Sequence, residues 1–236
     1  MKHTNLILAL LLVVALLLTG CSGKDEADVG GQITPAPATT PAETTAPTEE
    51  TPVSMGVLEG GTYHNSYAGF GCDLDANWTI YPADQLQDLP ENVAEVLEGT
   101  ELEGTTLNQF TDVLAENVTD LTTFNVLYQK LSPQERLAHA VLDEEEVIDG
   151  VLEETSVMLE AYANAGILVE SMEKKTVTFL GEERIGLYTV STVQDVPYYM
   201  LQIFDYDLGS YSIVLTLASY WQDSTQAMLD LFYPVS

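Results

Sequence analysis

The sequence predicts an α+β domain in which an antiparallel β-meander is packed with helices. Its last third holds four runs rich in Val, Ile, Thr, Tyr and Phe, at residues 175–180, 185–193, 198–206 and 211–219. The connections between these runs are short and made of turn residues (Gly181-Glu182-Glu183, Gln194-Asp195, Asp207-Leu208-Gly209), which forces antiparallel neighbours. Ahead of them, apolar residues recur at helical spacing, most clearly over residues 144–165.

The N-terminus has a different character. Residues 1–5 carry one lysine, Lys2, and no acid, and every residue from Leu6 to Leu18 is apolar. A permanent transmembrane helix needs about 20 such residues. The shorter run fits the core of a secretory signal peptide over residues 1–20. It ends in Leu18-Thr19-Gly20-Cys21, which resembles the lipobox of bacterial lipoproteins: an aliphatic residue, two small residues, then the cysteine that is lipidated. Small residues let a peptidase close on the backbone, and the thiol accepts a diacylglyceryl group. The resemblance implies export, cleavage before Cys21, and a palmitate-type anchor on that cysteine. The expected location is the extracytoplasmic face of the cell membrane.

Cysteine usage agrees. The chain has two cysteines, Cys21 and Cys72. If Cys21 is acylated, Cys72 has no partner and behaves as a small buried hydrophobe in an alternating stretch. A Cys21–Cys72 disulfide is the competing arrangement.

Residues 21–56 read as the lipidated cysteine and a tether. Residues 34–52 are nearly all Thr, Pro, Ala and Glu, with few side chains able to offset ordering entropy, so disorder is expected. About 35 residues reach roughly 30 Å as a flexible coil and roughly 110 Å if drawn out like polyproline. Residues 57–236 then form one domain, an ordinary size for a single core.

Charge narrows the function classes. The chain has 7 Lys+Arg against 37 Asp+Glu, a formal charge of −30. Residues 1–20 hold one of those basic residues and no acid, so the rest carries 6 against 37, or −31. Phosphate affinity rests on Lys and Arg, so no nucleic-acid partner is expected. Acidity keeps an exported protein soluble, and it can draw in cations or basic partners only over about 8 Å at physiological salt.

Within the domain, residues 63–75 read as a strand pair or bent strand, with Phe70, Cys72 and Leu74 alternating against Gly71, Asp73 and Asp75. Residues 77–82 end that unit. Residues 84–97 are helix-like around Pro90, and Leu107, Phe110 and Leu114 share a helical face. Residues 123–131 are a strand candidate. Ser132-Pro133-Gln134-Glu135 has the form of a capped helix start. Over residues 144–165 the apolar stripe is Ile148, Val151, Leu152, Leu159 and Tyr162, and Gly166 suits the C-terminal cap. Asp223 or Ser224 can cap a last helix with Ala227, Met228, Leu231 and Phe232 on one side.

In Tyr63, Asn65, Gly69, Phe70 and Trp78, followed by helices, a meander and a closing helix, the chain resembles the PsbP-like fold over roughly residues 60–234. The resemblance implies an α/β/α sandwich and an accessory or scaffolding role. It brings no catalytic residues.

Chemistry-bearing motifs are few. The exported part has two histidines, His64 and His139, in no zinc-binding spacing. The hydrolase elbow and the phosphate loop are absent from the sequence. The acidic run Asp143-Glu144-Glu145-Glu146 with Asp149, Glu153 and Glu154 offers oxygens to a hard cation such as Ca²⁺. The plainer reading is a solvated helix start favoured by the helix dipole. Asp205-Tyr206-Asp207-Leu208-Gly209 reads as a turn. The tyrosines and Trp221 around the meander suit core packing or a contact surface for a peptide or glycan.

The expectation is a membrane-anchored, non-enzymatic binding or accessory protein of the cell envelope, with an envelope protein as partner and no cofactor. The first alternative is a lipoprotein that binds a small solute or a cation, favoured by a deep pocket lined with polar groups. The second is an envelope hydrolase, which needs His64 or His139 bonded to both an acid and a hydroxyl.

Overall fold

A computed structural model of the chain describes residues 56–82, 86, 109–157, 159–164, 166–205 and 211–235. Cys21, the signal peptide, the tether and the helix expected around Pro90 lie outside the described residues.

Eleven strands are described: β1 (Val57–Glu59), β2 (Thr62–Asn65), β3 (Phe70–Asp73), β4 (Trp78–Pro82), β5 (Gln109–Asn117), β6 (Thr122–Lys130), β7 (Ile167–Phe179), β8 (Glu182–Val193), β9 (Val196–Asp205), β10 (Tyr211–Tyr220) and β11 (Phe232–Pro234). The helices are α1 (Pro133–His139), α2 (Glu144–Val157), α3 (Leu159–Asn164) and α4 (Thr225–Leu229). One sheet has the order β1-β2-β3-β11 and the other β4-β5-β6-β10-β9-β8-β7, and the pairings are antiparallel throughout.

This overturns the α+β class and the α/β/α sandwich expected from the sequence. The described fold is mostly antiparallel β, two sheets with short helices. Strands, not helices, supply the second layer. One face of the large sheet packs Val113, Ala115, Phe124, Val126, Tyr128, Leu201, Ile203, Ile213, Leu215 and Leu217 with Tyr63, Phe70, Cys72 and Phe232 of the small sheet. Phe70, Phe124 and Phe179 each meet Phe232 edge-on, with ring centroids 5.2–6.0 Å apart. The opposite face gathers Leu114, Leu127, Leu187, Tyr198, Met200, Phe204 and Val214 with Ile148, Val151 and Tyr162. There α2 packs mainly on β7 and β8, and α3 mainly on β7. Among the described residues no helix is long and apolar enough to cross a membrane.

Two strands were disguised by bulges. Leu107, Phe110 and Leu114 are spaced like a helical face, yet Gln109–Asn117 is β5. Its register against β6 shifts between Thr111 and Val113. The extra residue, Asp112, flips the alternation, so Phe110 and Val113 face the small sheet while Leu114 faces the other way. In β7 the register shifts between Val169 and Ser171. As an edge strand, β7 also exposes Glu170, Glu173 and Lys174, and it starts well ahead of the expected residue 175.

The helices are shorter than their patterns. The expected helix over residues 144–165 is two, α2 and α3. Near the end of α2, Thr155 Oγ1 donates to Val151 O (2.7 Å) and Ser156 Oγ to Glu153 O (2.6 Å), hydroxyl bonds that compete with helix continuation. The last helix stops at Leu229, and Phe232 lies on β11. Trp78–Pro82 does not close the first unit but pairs with β5 in the large sheet. The capped start of α1 is as expected: Ser132 N donates to Glu135 Oε2 (2.6 Å) and Glu135 N to Ser132 Oγ (3.2 Å).

Candidate functional site

The side chains singled out by sequence go to three places. Tyr63 and Asn65, from the β2 end of the resemblance, point with Asp112 into the layer between the sheets. Asp112 Oδ2 accepts from Tyr63 Oη (2.6 Å), Asn65 Nδ2 (3.0 Å) and Gly56 N (2.8 Å). Asn65 Nδ2 also reaches Tyr128 Oη (2.7 Å), and Ala68 N donates to Asn65 Oδ1 (2.9 Å). Burial first, then the Asp112 charge, push the Tyr63 phenol well above its ordinary pKa. The cluster is buried and saturated with hydrogen bonds. It pins the small sheet to the bulge of β5.

The acidic run is spent within the chain. Asp143 and Glu146 exchange backbone bonds in a second capping box (Asp143 N to Glu146 Oε2, 3.0 Å; Glu146 N to Asp143 Oδ1, 2.9 Å). Arg184 Nε lies 2.7 Å from Glu144 Oε1, and Lys174 Nζ lies 2.8 and 2.9 Å from Glu145 and Asp149. These acids hold α2 against β7 and β8. No group of three or more His, Cys, Asp or Glu side chains that could hold a metal occurs among the described residues. His64 is exposed, its Nε2 3.1 Å from Ser66 Oγ. The side chain of His139 and residues 206–210 lie outside the described residues.

The third place is the other face of the large sheet, and it was missed. Buried side-chain atoms without a hydrogen-bond partner occur at Gln109, Thr123, Asn125, Thr189, Tyr198, Gln202 and Ser212 on strands and at Tyr162 on α3. Strand alternation puts the strand residues on one side, and Tyr162 packs against the same face from α3. Thr189 shares a side with Leu187, Tyr198 and Gln202 with Met200, Ser212 with Val214, and Thr123 and Asn125 with Leu127. Gln109 stands opposite Gln129, two residues from Leu127. By contrast, the polar groups facing the small sheet find partners: besides the Asp112 cluster, Tyr188 Oη donates to Asp223 (2.8 Å) and Ser219 Oγ accepts from Ser224 N (3.1 Å).

Three of these residues share a recess. Tyr162, Tyr198 and Thr189 line a recess with Thr155, Ser191, Ile167, Val169, Met172 and Met200, between α2–α3 and strands β7–β9. The recess is small, with room for about one water. Tyr162 and Tyr198 are each 2% exposed, Thr189 4%. Burial drives both phenols far up in pKa, with Tyr220, 4.9 Å from Tyr198 between ring centroids, adding to the second. They are neutral hydroxyls at any physiological pH, each able to donate and accept. The recess therefore has apolar walls, no charged lining residue, and three shielded hydroxyls beside it. The sequence signals were Tyr162 on the helix stripe, read as packing, and Tyr198 on the meander, read as packing or a contact surface.

No protein-family model matches this sequence and no curated protein matches it, so the reading of the site rests on its chemistry.

Proposed function

We propose that the chain is an exported lipoprotein anchored through Cys21 on the outer face of the cell membrane, where it binds a small uncharged solute without transforming it. The anchor reading stands on the charged start, the apolar run and Leu18-Thr19-Gly20-Cys21. The binding reading stands on one observation. The unpartnered buried polar atoms lie on one face, three of them around an open recess. A buried hydroxyl without a partner costs about 1–3 kcal/mol. A bound molecule that pairs with these groups offsets that cost, which makes the face selective for an occupant.

Native mass spectrometry of the full chain, released from membranes in mild detergent, tests this. A single small-molecule adduct lost on denaturation supports it. A bare chain that no solute in a neutral-metabolite panel stabilises against heat sinks it. Detergent-phase partitioning tests the anchor: the wild-type chain partitions with detergent, the Cys21→Ala chain with water.

A second reading, an accessory protein with an envelope protein partner, draws on the exposed corners at this same end of the strands. Trp221 is 63% exposed and Val118 69%, close to backbone held at positive φ in Leu121 and Trp221. Tyr220 N donates to Leu121 O and Trp221 N to Pro197 O, which ties these corners together. In-cell crosslinking that captures an envelope protein with wild type and loses it with Trp221→Ala favours this reading.

A further inference from the structure

We infer that the domain docks on the phospholipid surface that holds Cys21, through the apolar side chains of α1 and the turn after it. This rests on the anchor reading and adds an orientation of the folded part. The helix and its turn expose what the other helices bury. Leu137 is 70% exposed, Val141 76% and Leu142 42%. Ala140 N donates to Arg136 O (3.0 Å), so helical winding runs to the end of α1 and brings Leu137 and Val141 within one turn of each other. By contrast, Ile148 and Val151 of α2 and Met228 and Leu229 of α4 are buried.

The tether arrives at this end of the large sheet. Gly56, the first described residue, donates its amide to Asp112 (2.8 Å). Asp112 lies between Thr111 and Val113, which stand opposite Leu127 and Val126 of β6. Those positions are roughly 10–13 Å of strand short of Lys130, where β6 ends and the chain passes into α1. About 35 residues of tether reach roughly 30 Å as a coil, so this end can lie on the lipid while Cys21 is held in it. Tethering also raises the effective concentration of the patch at the surface to about millimolar, so a contact too weak to recruit a free protein suffices here.

The same end carries half-buried rings. Tyr211 stands opposite Lys130 and Phe110 opposite Tyr128, and the Phe110 and Tyr211 centroids are 6.3 Å apart. Rings of this kind, apolar with a polar tip at tyrosine, suit a lipid–water boundary. The nearest acids, Glu135, Asp143, Glu144 and Glu146, accept hydrogen bonds within the chain and keep their charge. Apolar contact, not attraction to anionic lipid, therefore carries the docking. In this orientation Val118 and Trp221 stand off the membrane by the length of β6, nine residues or roughly 30 Å, and stay open to an envelope protein.

The test uses the full lipoprotein in phosphatidylcholine vesicles, with a fluorophore on Val141→Cys or, as the control at the far end, on Val118→Cys. Cys72 is buried and escapes labelling. Nitroxide-labelled phosphatidylcholine is expected to quench the label at 141 at least threefold more than the label at 118. Leu137→Asp/Leu142→Asp is expected to bring the label at 141 down to the control level, with flotation on vesicles and Tm unchanged. Equal quenching at the two positions, or quenching at 141 untouched by the Asp pair, overturns the inference while a chain that still floats keeps the anchor reading. A chain that does not float sinks both. A photo-crosslinker at 141 that captures an envelope protein instead of lipid in whole cells also overturns it, and gives the patch to that protein.

Discussion

Replacing Asp112 by Ala is expected to be the most costly single change between the two sheets. One carboxylate oxygen accepts three hydrogen bonds, from Tyr63, Asn65 and Gly56, at 2.6–3.0 Å. These lengths fit charge-assisted bonds. The Gly56 amide is part-buried and can turn to water. Asn65 keeps bonds to Tyr63 (2.8 Å) and Tyr128 (2.7 Å). The Tyr63 hydroxyl, in a residue 1% exposed, loses the acceptor for its proton. Counting the Tyr63 and Asn65 bonds at about 1.5 kcal/mol each, the low end for bonds to a charged group, gives a loss of about 3 kcal/mol. The carboxylate's own desolvation, relieved by the substitution, is the reason for taking the low end. In a domain of this size the loss corresponds to a fall in Tm of roughly 6–12 °C. Urea unfolding followed by fluorescence should show the midpoint falling with an unchanged slope. Asp112→Asn, which retains an acceptor oxygen, should lose roughly a third as much. A change below about 0.5 kcal/mol for Asp112→Ala would mean that the bulge does not hold the small sheet in place.

Three further outcomes are expected. Cys72 is fully buried and burial, then Asp73, push its thiol up to about 12, so it should ignore a thiol reagent in the native chain. On unfolding, one reactive thiol fits an acylated Cys21, none fits a Cys21–Cys72 disulfide, and two fit an unprocessed chain. Burial raises Tyr63, Tyr162 and Tyr198 above the ordinary phenol pKa of about 10, so above that pH the folded state holds protons that the unfolded state has lost. Stability should therefore fall as pH rises past about 10, with phenolate absorbance appearing together with loss of the near-ultraviolet dichroism; early, separate ionisation of these tyrosines would refute it. Gly186→Ala should destabilise by about 1–3 kcal/mol in the same urea assay, because its new Cβ would sit 2.8 Å from Gln202 O in the neighbouring strand; a neutral result would mean β8 and β9 lie farther apart than described.

The meander was legible because its strands alternate cleanly and its turns are short. Tyr198, Met200 and Phe204 fall on one side and Leu201 and Ile203 on the other, as period two requires. The capped start of α1 was legible because Ser132 and Glu135 act within one helical turn. What failed was nonlocal. One extra residue, Asp112, turned an alternating strand into apparent helical spacing. The edge position of β7 let charged side chains occupy a strand. The pairing of β11 with β3 joins residues such as Phe232 and Cys72, 160 positions apart, which no local pattern reports. Because β5 and β7 belong to the large sheet and β11 completes the small sheet packed on it, missing them misread the fold class itself.

The site was illegible for a related reason. A tyrosine on an apolar stripe carries the same sequence signal whether or not its hydroxyl finds a partner. The two faces of the large sheet separate the cases. Toward the small sheet, Tyr63 and Tyr188 reach Asp112 and Asp223, and each phenol fixes a contact between distant segments. On the other side, Tyr162 and Tyr198 are buried just as deeply with their hydroxyls unmatched. Phenylalanine at either position would fill the same volume and remove a cost of about 1–3 kcal/mol. Packing therefore accounts for the rings and not for the oxygens. Those oxygens, beside a recess with apolar walls and room for about one water, are the part of this face that packing leaves unexplained.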